Sequence, residues 1–137
     1  MRFMMIVRAN HDSEAGILPD ETALAAMNKY NEELFKAGVL LAGEGLHPSS
    51  KGARVKLSRG KRTVIDGPFS ETKELVAGFW LIQVKSRAEA IEWASRVPAE
   101  DMEIEIRQVH EASDFPADSE AIRKEGELRE QLERRPS

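Results

Sequence analysis

The sequence contains no cysteine, which excludes disulfides, thiolate nucleophiles and zinc–sulfur centres. Its three histidines, His11, His47 and His110, share no local zinc-site spacing, so no metal is expected. No run approaches the roughly 20 apolar residues that a bilayer crossing needs, and no membrane association is expected. A formal net charge of −4 supplies no global field for nucleic acid, which is not expected as a partner. No glycine pattern matches a phosphate loop or dinucleotide fingerprint and no serine sits in a Gly-x-Ser-x-Gly elbow; no cofactor is expected. The opening Met-Arg-Phe-Met-Met-Ile-Val-Arg has too short an apolar part for a signal-peptide core and is closed by Arg8; it predicts a first strand and a cytoplasmic protein.

What is present suits one domain: 137 residues, 41% hydrophobic and 32% charged, are enough for a single core. Both alternating sets of residues 2–8 are partly apolar, which predicts a central strand covered on both faces. Residues 10–19 read as a loop. A helix is predicted from Pro19 or Asp20 to Ala37, ended by Gly38, with Ala23, Leu24, Met27, Asn31, Leu34 and Phe35 forming its apolar stripe. Asn31 inside that stripe must either bond a neighbouring strand or face a polar cavity, because a buried amide without partners costs on the order of 1 to 3 kcal/mol.

Residues 38–46 predict a second strand and 47–52 a loop. Ala53–Ser58 and Thr63–Asp66 form a hairpin around Arg59-Gly60. Arg54, Lys56, Arg59, Lys61 and Arg62 make the hairpin basic, but no aromatic residue is interleaved to stack on bases, and such cations suit a solvated edge strand. Leu75–Lys85 is the most apolar strand, with Gly78 marking a close approach or bulge. Ser86 and Glu89 supply a capping box for a second helix that Pro98 stops, and residues 102–110 alternate as a last strand. The plan is α+β: a ferredoxin-like βαββαβ antiparallel sheet with an inserted hairpin and helices on one side. Such a sheet leaves one face bare, and a second copy is its simplest cover. Residues 1–116 form the domain and 117–137 a charged C-terminal helical tail, with Glu120/Lys124, Glu125/Arg129 and Glu130/Arg134 at supportive spacing.

Asp66-Gly67-Pro68-Phe69-Ser70-Glu71-Thr72-Lys73-Glu74 is the most distinctive stretch, a tight turn followed by charged side chains directly before the most apolar strand. Asp66, Glu71 and Lys73 admit two readings. In one, Asp66 bonds the turn and Glu71 pairs with Lys73 on one strand face. In the other they line a cleft, Lys73 holding an anionic or phenolate oxygen while a carboxylate moves a proton. His47, with Glu44 three residues before it, and His110, on the same face as Gln108, are further candidates for proton transfer or binding. The candidate catalytic residues are thus Asp66, Glu71, Lys73 and His47; the candidate ligand-binding residues are Asn31, Glu44, Asp66, Glu71, Lys73, Gln108 and His110.

This nonapeptide resembles the signature of the YCII-related family, in the branch named for its Asp-Gly-Pro-Phe motif. Gly43-Glu44-Gly45-Leu46-His47-Pro48, Ala77-Gly78-Phe79-Trp80, Ala88 to Ala94, Ile106-Arg107 with Glu111, and Asp114-Phe115 carry the likeness from about Met1 to Phe115. The resemblance implies a dimeric α/β barrel, a homodimer with a cleft for a small-molecule ligand. With the polar set beside the apolar strand, we read a protein that binds a small organic molecule, its expected chemistry cofactor-independent, of lyase, isomerase or oxygenase type, on a small aromatic or dicarbonyl compound. A regulatory or interaction module working with an alternative sigma factor is the rival implication. The helix histidine and the aspartate of the better-known branch are absent, their positions falling at Met27 and Val97, so an acid/base mechanism built on that pair does not carry over.

Overall fold

The computed structural model describes residues 1–136, so Ser137 of the expected tail lies outside the described residues. Four strands form an antiparallel sheet in the order β2 (Leu40–Gly45), β5 (Val76–Gln83), β1 (Arg2–Arg8), β6 (Ile104–Gln108). With two helices intervening in the chain, α2 (Glu21–Lys36) and α3 (Arg87–Ser95), this is the strand order of a ferredoxin-like unit. α1 (His11–Glu14) lies between β1 and α2, β3 (Ala53–Ser58) and β4 (Lys61–Asp66) lie between β2 and β5, and α4 (Glu120–Arg134) follows β6.

Register divides the side chains between the two faces of the sheet. Phe3 stands opposite Ile82, Met5 opposite Trp80 and Ile106, and Val7 opposite Ile104. Phe3, Met5, Trp80 and Ile82 are buried with Tyr30 and Leu34 of α2 and Ala90 of α3, and this is the core. The alternates Met4, Ile6, Phe79 and Leu81 point the other way and are half-buried. Gly78 sits where a Cβ would come within 2.8 Å of the Glu44 carbonyl oxygen, so the expected close approach is realised between β5 and β2.

Three expectations change. The buried stripe of α2 is rotated from the one predicted: Tyr30 and Leu34 are buried, whereas Leu24 and Phe35 are 46% and 74% exposed. Tyr30 turns the helix, because its hydroxyl donates to the Trp93 carbonyl at 2.7 Å and its ring meets Trp80 and Trp93 edge-on at 5.5 and 6.5 Å. The loop after β1 contains α1, which is held by a reciprocal pair: Asn10 Oδ1 accepts from Ser13 N, and Ser13 Oγ accepts from Asn10 N, both at 2.9 Å. The hairpin is not an edge of the main sheet. It is a separate two-stranded ribbon, turned at Arg59 (φ 48°) and Gly60 (φ 79°), and exposed on both faces.

Candidate functional site

The signature turn is a clamp between three segments. Gly67 N donates to the Gly52 carbonyl at 3.0 Å, and Phe69 N donates to Ser49 Oγ at 3.0 Å. Ser49 in turn donates through its N and Oγ to the two oxygens of Glu14, at 2.9 and 2.5 Å. A Cβ at Gly67 would lie 1.8 Å from the Ser49 carbonyl oxygen, so only glycine permits this backbone packing. The Arg54 guanidinium lies over the Phe69 ring, 3.8 Å from its centroid. The root of the β3–β4 ribbon is thereby fixed to the loop after β2 and to α1.

The charged residues that follow do not take the predicted strand geometry. Glu71 precedes a 3₁₀ turn at Thr72–Glu74, so period-two pairing of Glu71 with Lys73 does not form. Asp66, Glu71 and Lys73 are all exposed, and among the described residues none of their side chains makes a hydrogen bond or ion pair within the chain. Glu44, near the end of β2, and His47, just beyond it, are both exposed.

Asn31 meets the first half of its expectation, a bond to a neighbouring strand. Its Oδ1 accepts from Trp80 Nε1 at 2.8 Å, and it borders a shallow hollow of about 370 Å³ with Asn28, Glu32, Phe35 and Leu40. The Trp80 indole is therefore paired although nearly buried.

His110 and the signature stand at opposite ends of β1. Ala9 N bonds the Leu75 carbonyl at one end, and Val109 N bonds the Arg2 carbonyl at the other. The seven residues of β1 separate the two groups by roughly 20 Å at about 3.3 Å per residue. Gln108 ends β6 and is exposed.

At the His110 end lies a better-formed hollow of about 280 Å³, under α4. Arg2 Nε donates to Glu111 Oε1 at 2.6 Å, and Glu111 N donates to Asp114 Oδ2 at 2.8 Å. His110 Nδ1 is 3.6 Å from Asp114 Oδ2, and its ring is tilted against Phe115 at 5.5 Å. From α4 come Ile122, Glu125, Gly126 and Arg129, the last paired with Glu125 at 2.8 Å. A Cβ at Gly126 would meet nothing within 4 Å, so this glycine leaves space in the wall without serving any packing contact. The hollow holds two guanidinium–carboxylate pairs, Arg2–Glu111 and Arg129–Glu125, an apolar corner at Phe115 and Ile122, and one imidazole at the rim.

Sequence reasoning placed His110 as a candidate but missed Arg2 and Arg129 as its companions. Arg2 is separated from Glu111 by more than 100 positions and reads as an ordinary strand residue, and Arg129 reads as one of several helix-surface charges. No local spacing could have joined them. The same holds for Glu14 and Ser49 in the clamp.

A family model described as the YCII-related domain matches residues 1–113. An uncharacterised protein of Rhizobium meliloti (strain 1021) is 36% identical over 75 residues, which is 55% of this chain. That match spans 60% of the relative's length, less than two thirds of it.

Proposed function

The chain belongs to the YCII-related family, and from that premise we propose that it is half of a two-copy α/β barrel that binds a small organic molecule. We place it in the branch named for Asp-Gly-Pro-Phe, on the strength of residues 66–69. The observation that carries the binding reading is the hollow under α4, where Arg2 and Arg129 converge with His110 and Phe115. The ligand class it suits is a small aromatic or dicarbonyl acid: its anionic oxygen takes the place of Glu111 or Glu125 on the Arg2 and Arg129 guanidinium groups, and Phe115 and Ile122 take the apolar body. His110 then moves a proton to or from the ligand without a cofactor, the economy of a lyase or isomerase.

Support for the second copy comes from the sheet face opposite the helices. Met4, Ile6, Phe79 and Leu81 lie there, while α2 and α3 occupy the other face. A twin sheet covers them at the lowest structural cost. Thermal-shift titration with a panel of aromatic and dicarbonyl carboxylates tests the site. Wild type should be stabilised by one class, Arg129→Met should lose the shift, and His110→Gln should keep the shift while losing any turnover. The site reading fails if no acid shifts the wild type or if Arg129→Met responds like it.

One observation favours a protein partner as a second reading. Leu128 and Leu132 lie four residues apart on α4 and are 65% and 60% exposed. Such an unpartnered pair suits a helix that docks on another protein, and an alternative sigma factor is the partner that this reading names. Co-purification with a sigma factor that Leu128→Glu abolishes would support it.

A further inference from the structure

We propose that the β3–β4 ribbon is an arm that closes over a second copy of this chain, an inference that rests on the two-copy reading above. The ribbon stands outside the four-stranded sheet, and every residue of its two strands is exposed. A lone two-stranded hairpin is marginal in water, so a surface must complete it. Val55 faces Val64 across the ladder, with Leu57 beside them on the same face; the three are 57%, 64% and 65% exposed. That face, which Arg62 shares opposite Leu57, is mainly aliphatic and suited to a protein surface.

Charge indicates which protein. Residues 51–62 contain six of the chain's 20 lysines and arginines and no aspartate or glutamate. The rest, with 14 cations against 24 carboxylates, carries −10. Among the described residues none of the six cations has a carboxylate partner, whereas seven of the nine arginines outside the ribbon do. Meanwhile Glu21, Glu32, Glu33, Glu44, Glu71 and Glu74 have no ion-pair partner within the described residues. A cationic arm and an acidic body on one chain complement each other between two copies, each arm on the other's body, as a two-fold interface requires. The arm is also pre-set: the Gly67, Ser49 and Glu14 clamp and the Arg54–Phe69 stack fix its root, which lowers the ordering cost of docking.

Sedimentation velocity on the full chain tests this with three proteins: wild type, Leu57→Asp/Val64→Asp, and Lys56→Glu/Lys61→Glu. Both variants should fold, since the ribbon lies outside the core, and circular dichroism with urea melts verifies that. Wild type should be dimeric, and each variant should weaken the dimer by at least about tenfold. Wild type and the charge variant should converge as salt rises from about 0.1 M to about 1 M, where the screening length falls to roughly 3 Å. Folded variants that dimerise like wild type would overturn the arm and leave the two-copy reading standing. A wild type that stays monomeric would overturn both. Retardation of a labelled random-sequence DNA duplex that depends on Lys56 and Lys61, with dimerisation unchanged, would reassign the ribbon to nucleic acid and overturn the proposal.

Discussion

Gly67 shows how one backbone atom can hold a turn. Because its missing Cβ leaves room for the Ser49 carbonyl 1.8 Å from the Cβ position, Gly67→Ala must push two segments apart. The expected cost is about 1 to 3 kcal/mol, read as a lower urea midpoint with an unchanged slope. An unchanged midpoint would show that the clamp can relax freely. Tyr30 supplies a second residue-scale prediction. Burial pushes its phenol up to about 12, the Glu33 carboxylate adds to that, and the Arg96 guanidinium opposes it. The folded value lies above the unfolded one near 10, so the folded chain keeps its proton longer. The stability it contributes is complete below about pH 10 and is lost as pH rises towards about 12, by on the order of 2 to 3 kcal/mol. Since the chain has one tyrosine, phenolate absorbance reads this group alone, and Tyr30→Phe should flatten that alkaline limb. Asn31 was legible in the sequence as an amide in need of a partner, and Trp80 Nε1 is that partner. Tyr30 was not legible as the pivot of its helix, because helical periodicity marks an apolar arc but not the hydroxyl contact that decides which part of it is pinned.

At the scale of elements, α4 joins the body through little more than Ile122, which is half-buried among its otherwise exposed residues. Its cohesion comes from its own ladder: Arg123 with Glu120 and Glu127, Arg129 with Glu125, and Arg134 with Glu130. The hydrogen bond from Arg123 holds the Glu120 carboxyl below its usual value, so this support is present at neutral pH and lost as pH falls through the lowered value. Hydrogen exchange should therefore show α4 opening in acid and in high salt before the sheet does. Gly126→Ala should act in two directions. It should raise the helicity of α4, since glycine costs about 1 kcal/mol relative to alanine inside a helix, while narrowing the hollow and weakening any acid that binds there. Stronger helicity with unchanged binding would place the ligand elsewhere. The order of strands and helices could be read from caps and alternation, as at Ser86 with Glu89 and along β1. That β3 and β4 leave the sheet could not, because period-two alternation records which way side chains point and not which strand lies alongside.

For the molecule as a whole, most candidate residues lie at the two ends of β1, and three kinds of surface are open in whole or in part. These are the Met4/Phe79 side of the sheet, the ribbon, and the outer stripe of α4. The family match from 1 to 113 stops before α4, so the hollow combines a shared domain with a segment that lies outside the match. Sequence alone could show that alternate residues of both central strands are apolar; it could not bring Arg129 to Arg2, which depends on where a weakly anchored helix comes to rest. Among the described residues no helix is long and apolar enough to cross a membrane. The most direct test is native mass spectrometry of the freshly purified full chain. We expect a particle of twice the 15.3 kDa chain mass that carries a small acid, with the acid lost in Arg129→Met while the pair persists. A lone, empty 15.3 kDa chain at every concentration sampled would contradict it.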